Sequence, residues 1–112
     1  MSQITTHILD TTKGRPAADV TIALYGMDGD DWQEIARGVT NKDGRIPDLL
    51  AAGIQLRLGT YKMKFFTKAY FERDATKAFY PFVEICFEVA SAEHYHVPLL
   101  LNPFGYATYR GS

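Results

Sequence analysis

The side chains best suited to chemistry are the three histidines, His7, His94 and His96, with Arg45 and Arg110 as candidate partners. An imidazole with a pKa of about 6.5 takes up and returns protons near neutral pH. A guanidinium stays charged and is rich in hydrogen-bond donors. In a strand, residues 94 and 96 project from one face. Two imidazoles at that spacing can chelate one metal, with His7 as a third ligand, which is the donor pattern of a water-activating zinc site. The competing reading leaves His94 in solvent at a strand edge with no metal bound, and no metal and no cofactor are the expectation. Arg45 directly follows Asp43-Gly44, and its spacing alone reads as a solvated turn residue. Cys86 alternates with Glu84 and Glu88, so it reads as a half-buried packing residue rather than a nucleophile. Asp28-Gly29-Asp30-Asp31 lacks the ligand spacing and final Glu of a calcium loop and reads as a hairpin turn.

A second chemical cluster is Tyr109-Arg110-Gly111-Ser112. Chain ends ordinarily fray. Here an apolar run, Val97-Pro98-Leu99-Leu100-Leu101, leads through a Pro/Gly turn into an aromatic ring, a guanidinium and a hydroxyl. Such a segment is expected to be docked and to belong to a site.

The elements that must hold these groups follow a period of two. Thr5, His7 and Leu9 share one face of a first strand, opposite Ile4, Thr6 and Ile8. Lys13-Gly14-Arg15-Pro16 is a turn. Val20, Ile22 and Leu24 alternate with Thr21, Ala23 and Tyr25. The Asp28-Gly29 hairpin leads to a strand over 32–39, and residues 41–45 turn again. Tyr61, Met63 and Phe65 form one apolar face, and Val83, Ile85, Phe87 and Val89 another. His94, His96 and Pro98 alternate with Tyr95, Val97 and Leu99, and a last strand covers 104–109. One helix is expected over 70–79, stopped by Pro81. Residues 49–58 hold a short edge strand and a loop. Seven or eight short strands with one helix predict an all-β, antiparallel sandwich forming one domain over 1–112. If the apolar sets fill its interior, His7 and His96 both face outward.

Bulk properties exclude several partners. A net charge of −1 offers no basic surface for nucleic acid or an anionic membrane. No apolar stretch is long enough to span a bilayer. The first residues lack a basic segment followed by an apolar one, so no signal peptide is expected. The lone Cys86 forms no internal disulfide and fits a reducing compartment, so the cytoplasm is the expected location.

Local motifs in order say more. They are Ile4-Thr5-Thr6-His7-Ile8-Leu9-Asp10-Thr11, Gly14-Arg15-Pro16-Ala17, and Thr40-Asn41-Lys42-Asp43-Gly44-Arg45. Then come His94-Tyr95-His96-Val97-Pro98-Leu99-Leu100-Leu101-Asn102-Pro103 and Tyr109-Arg110-Gly111-Ser112. Over essentially the whole chain this series resembles the 5-hydroxyisourate hydrolases, the transthyretin-like or transthyretin-related proteins. The hormone carrier transthyretin lacks the final Tyr-Arg-Gly-Ser and has other residues where this chain has His7 and His96.

The resemblance implies a transthyretin-like β-sandwich of two four-stranded sheets with a short helix. It implies a homotetramer with sites at the dimer–dimer interface. It implies hydrolysis of 5-hydroxyisourate to 2-oxo-4-hydroxy-4-carboxy-5-ureidoimidazoline in urate breakdown. Carried over residue by residue, the catalytic set is His7, Arg45, His96 and Ser112. The substrate-binding set is His7, Arg45, Tyr109, Arg110 and Gly111. Either histidine could be the base. A non-catalytic carrier of small aromatic ligands is the alternative.

Overall fold

The computed structural model describes residues 2–112; Met1, the first residue of the expected domain, lies outside them. Among these residues the strands are β1 (Ile4–Asp10), β2 (Arg15–Pro16), β3 (Thr21–Asp28), β4 (Asp31–Val39) and β5 (Gly59–Phe65). After helix α1 (Thr67–Arg73) come β6 (Val83–Val89), β7 (Tyr95–Asn102) and β8 (Gly105–Thr108). Two four-stranded sheets form, ordered β2-β1-β7-β8 and β4-β3-β5-β6.

Alternation decides which face of each strand is buried. Ile4 and Ile8 of β1, Met63 and Phe65 of β5, Val83 and Val89 of β6, and Val97 and Leu99 of β7 meet in a common core. Their odd-even partners, including Thr5, His7 and His96, are left half-buried on outer faces. No helix among the described residues is long and apolar enough to cross a membrane.

The pairing of β1 differs from the antiparallel expectation. It runs parallel to β7, with Thr5 opposite His96 and His7 opposite Pro98. Parallel neighbours need a long crossover, and the whole β3–β6 sheet supplies it. This pairing brings the N-terminal histidine strand beside the C-terminal one.

The helix also differs. It starts at Thr67, buries Tyr70 and Phe71, and ends at Arg73 rather than running over 70–79. Ala75 adopts a φ of 53°, which breaks helical geometry well before Pro81. The buried Asp10 carboxylate tethers this helix to the sheet. Its Oδ2 accepts from the Tyr70 hydroxyl at 2.6 Å, and its Oδ1 accepts from the Thr12 and Lys13 amides at 3.0 Å. Burial, followed by the carboxylate contact, pushes the Tyr70 hydroxyl pKa well up.

Residues 49–58 contain no strand. Two of their backbone donors are met by side chains: the Leu50 amide donates to Ser2 Oγ at 3.0 Å and the Leu56 amide to Gln3 Oε1 at 2.8 Å. Arg15 and Pro16, expected in a turn, form the short β2 against Asp10 and Leu9. Cys86 is exposed rather than half-buried, because β6 is an edge strand whose outer face carries Glu84, Cys86 and Glu88 into solvent.

Candidate active site

The outer face of the β1–β7 pair is the floor of the site. The parallel register aligns Thr5 with His96. The Thr5 hydroxyl stands 2.8 Å from His96 Nδ1 and 2.8 Å from His94 Nε2. The two rings are nearly parallel, 19° apart, with centroids separated by 6.3 Å.

Arg45 arrives from the loop after β4. Asn41 Oδ1 accepts from the Asp43 amide at 2.9 Å and from the Arg45 amide at 3.1 Å, closing the turn. The Ile8 amide then donates to the Gly44 carbonyl at 2.9 Å, which latches the loop onto β1. Gly44 has a φ of +73°, and a Cβ there would stand 2.5 Å from the Ile8 carbonyl oxygen. Only glycine fits that position without moving backbone. Held this way, the guanidinium Nη2 lies 3.3 Å from His7 Nδ1. Arginine has no acceptor, so His7 Nδ1 accepts and the ring proton sits on Nε2.

A cleft of about 550 Å³ lies against these groups. It is lined by Thr5, Thr6, His94 and His96 on the sheet side, by Arg45, Ile46 and Pro47 from the loop, and by Ser112. Gly111 places Ser112 there. Its amide donates to the His96 carbonyl at 2.9 Å, and a Cβ on Gly111 would stand 2.5 Å from His96 Cδ2. The chain therefore needs glycine to run this close to the imidazole.

Both site histidines are pushed below the ordinary imidazole pKa. For His96 burial is the largest cause, then the Arg45 cation, His94 and His7, opposed by a hydrogen bond to the Thr5 backbone. For His7 burial again leads, then Arg45, opposed by the Asp43 backbone and carboxylate. Each is predominantly neutral at pH 7, as a proton acceptor must be.

His96, Arg45 and Ser112 thus share one cleft, and His7 joins them through Arg45. Tyr109 and Arg110 line a second, smaller depression of about 290 Å³ together with Cys86 and Tyr95, and His96 borders both it and the cleft. Arg110 pairs with the Glu93 carboxylate and stacks 4.5 Å over the Tyr95 ring. Thr5 and His94 also line the cleft although neither is in the expected site set; from sequence His94 reads only as a metal ligand or a solvent-edge residue. Thr5 shares the parity of His7 on β1; the missing signal was the parallel pairing with β7. The three-imidazole metal arrangement does not form: among the described residues no three His, Cys, Asp or Glu groups are placed to hold one ion, and His7 faces a cation instead.

The sequence model of the HIUase/Transthyretin family matches residues 4–111. The 5-hydroxyisourate hydrolase of Mesorhizobium japonicum is 46% identical over 98% of this chain and 92% of its own. The solved structure of Klebsiella pneumoniae 5-hydroxyisourate hydrolase superposes with a TM-score of 0.84 at 37% identity, over 97% of this chain and 92% of that one. Sea bream transthyretin in complex with thyroxine superposes with a TM-score of 0.91 at 34% identity, over 98% and 95%. With its two-sheet sandwich, single short helix and near-complete match, the chain belongs to the HIUase/transthyretin family.

Proposed function

We propose that this chain is a 5-hydroxyisourate hydrolase, opening a ring amide of that substrate to give 2-oxo-4-hydroxy-4-carboxy-5-ureidoimidazoline in urate breakdown. The observation that carries this reading is the His96 imidazole in one cleft with the Arg45 guanidinium, its pKa lowered by burial and by that cation. Hydrolysis of an amide needs an activated water, a cation for the oxygen that gains charge, and a proton for the departing nitrogen. His96 takes a proton from water as its oxygen attacks the carbonyl carbon. Arg45 meets the developing oxyanion. As the C–N bond breaks, the imidazolium returns its proton to the ring nitrogen. His7 accepts one Arg45 N–H and so holds the guanidinium in orientation. Ser112 offers its hydroxyl to the substrate's polar edge. In this scheme the protein's own side chains supply the chemistry, with neither metal nor cofactor.

Tyr109 and Arg110 enter the scheme less directly. The Arg110–Glu93 pair anchors the segment that carries Gly111 and Ser112. The Tyr109 ring is 58% exposed, and Tyr106 and Phe104 of the same sheet region are also open to solvent. An apolar surface of that kind invites a covering partner. This supports a homotetramer whose dimer–dimer contact closes the cleft and turns Tyr109 toward substrate. The free, exposed Cys86 thiol supports a reducing, cytoplasmic setting.

A carrier role is the second reading, favoured by the likeness to thyroxine-bound transthyretin. Fold does not decide between the two. An apolar carrier channel has no need of paired imidazoles around a guanidinium. Assaying decay of freshly made 5-hydroxyisourate in the ultraviolet separates them: acceleration supports the hydrolase, and binding without acceleration supports the carrier.

Gly111→Ala offers a further check on the geometry. The added methyl displaces the His96 ring, and a shift of about 1 Å can cost on the order of 100-fold in rate. Steady-state kinetics are expected to show that loss with the fold retained; an unchanged rate contradicts the packing of residue 111 against the base.

A further inference from the structure

We propose that Thr5 is a positioning residue that, with His94, fixes the tautomer of His96. Its hydroxyl holds the His96 proton on Nδ1 and leaves the Nε2 lone pair free for the cleft. The inference rests on the reading of His96 as the base.

The number of protons available decides the arrangement. A threonine hydroxyl has one proton to donate. Thr5 Oγ1 faces two imidazole nitrogens, each at 2.8 Å. It can donate to at most one, so at least one ring must arrive as an N–H donor. Two arrangements use the hydroxyl proton within the cluster; a third, in which both rings donate to the oxygen's two lone pairs, puts the His96 proton on Nδ1. In the first, His94 Nε2–H donates to Thr5, Thr5 donates to His96 Nδ1, and His96 keeps its proton on Nε2. In the second, His96 Nδ1–H donates to Thr5, Thr5 donates to His94 Nε2, and His96 Nε2 carries a lone pair.

Surroundings favour the second. His94 is exposed, so its own ring proton, moved to Nδ1, finds water. His96 Nδ1 is occupied by Thr5, so Nε2 is the nitrogen left to act, and no protein hydrogen bond to it is found among the described residues. The Arg45 cation lining the same cleft favours a lone pair over an added proton there. Which ring nitrogen is protonated is set by the bond the other one makes.

The arrangement also serves the charged state. Once His96 takes a proton on Nε2, its Nδ1–H bond to Thr5 becomes charge-assisted and strengthens. The His94 Nε2 terminates the chain as an acceptor, so the Thr5 hydroxyl proton is met. Gly111, packed against Cδ2 on the ring's other side, keeps the imidazole from rotating out of this bond.

The test compares the wild-type protein with Thr5→Val, Thr5→Ser and His94→Phe. Valine has the shape of threonine without the hydroxyl and suits a strand. Long-range proton–nitrogen NMR at pH 7.5 reads the tautomer of each imidazole without any substrate. The wild-type and Thr5→Ser proteins are expected to show His96 protonated on Nδ1. Thr5→Val and His94→Phe are expected to move that proton wholly or partly to Nε2. Their kcat is expected to fall on the order of 10- to 100-fold, the scale on which hydrogen-bond partners of metal-ligating imidazoles act, with KM nearly unchanged and serine restoring the rate.

If His96 in the wild-type protein carries its proton on Nε2, or Thr5→Val leaves both tautomer and kcat unchanged, the proposal is overturned. If the wild-type protein fails to hydrolyse 5-hydroxyisourate, the functional reading fails instead, and with it the assignment of His96 as the base. The spectra still decide whether Thr5 sets the His96 tautomer.

Discussion

Replacing His96 by alanine is expected to lower kcat for 5-hydroxyisourate by about 10²- to 10⁴-fold, the usual contribution of a positioned acid–base group. The fold should survive. His96 lies on the outer face of β7, while its neighbours Tyr95 and Val97 point into the core. Truncation there opens no cavity among packed apolar side chains, so the large penalties of core deletion do not arise. Initial-rate kinetics on freshly generated substrate, paired with a thermal melt, provide the check. A variant within a few-fold of wild-type turnover would remove His96 from the mechanism.

Arg45→Ala is expected to cost about 10²- to 10³-fold in kcat, the range seen when one donor to a developing oxyanion is removed. A second effect distinguishes it from the loss of a merely structural residue. Burial, and after it the Arg45 cation, hold the His96 pKa below its ordinary value. A general base works in its neutral form, so wild-type activity should persist below the ordinary imidazole pKa of about 6.5. Removing the cation makes imidazolium less costly. The pKa then rises toward its ordinary value, and the acid limb of the kcat/KM profile moves to higher pH. Burial, His94 and His7 still oppose protonation, and the Thr5 backbone still favours it. Arg45→Lys keeps the charge but not the planar fork. It should leave the acid limb near the wild-type position while recovering only part of the rate. An Arg45→Ala profile with an unmoved limb contradicts the electrostatic part of the account.

Much of this architecture is legible in the sequence because burial follows a period of two. Ile4 and Ile8, Met63 and Phe65, and Val97 and Leu99 announce their strands and their inner faces. The same parity puts His7 and His96 outside, where the structure has them. What parity does not contain is strand partnership. Nothing local in residues 4–10 says that they lie parallel to 95–102. Without that pairing Thr5 is one more exposed-face threonine and His94 a solvent-edge histidine. With it they become the two contacts of one hydroxyl.

The helix shift has a similar origin. Residues 75–78 are acceptable helix formers, but Tyr70 and Phe71 must face the core and Tyr70 must reach Asp10, 60 positions earlier in the chain. That tertiary demand outweighs modest propensities. Residues 49–58 read as apolar because Leu49 and Leu50 are buried, yet Ser2 and Gln3 side chains replace a strand partner. Tyr109 and Arg110 are implied to meet substrate by their place in the motif series, and in the single chain they line a neighbouring depression that shares His96 with the cleft.

The most direct measurement is the ultraviolet decay of freshly produced 5-hydroxyisourate with and without catalytic amounts of the wild-type protein. Decay well above the spontaneous rate, in proportion to protein added, is expected. Decay at the spontaneous rate, from a folded protein at any concentration, overturns the hydrolase reading.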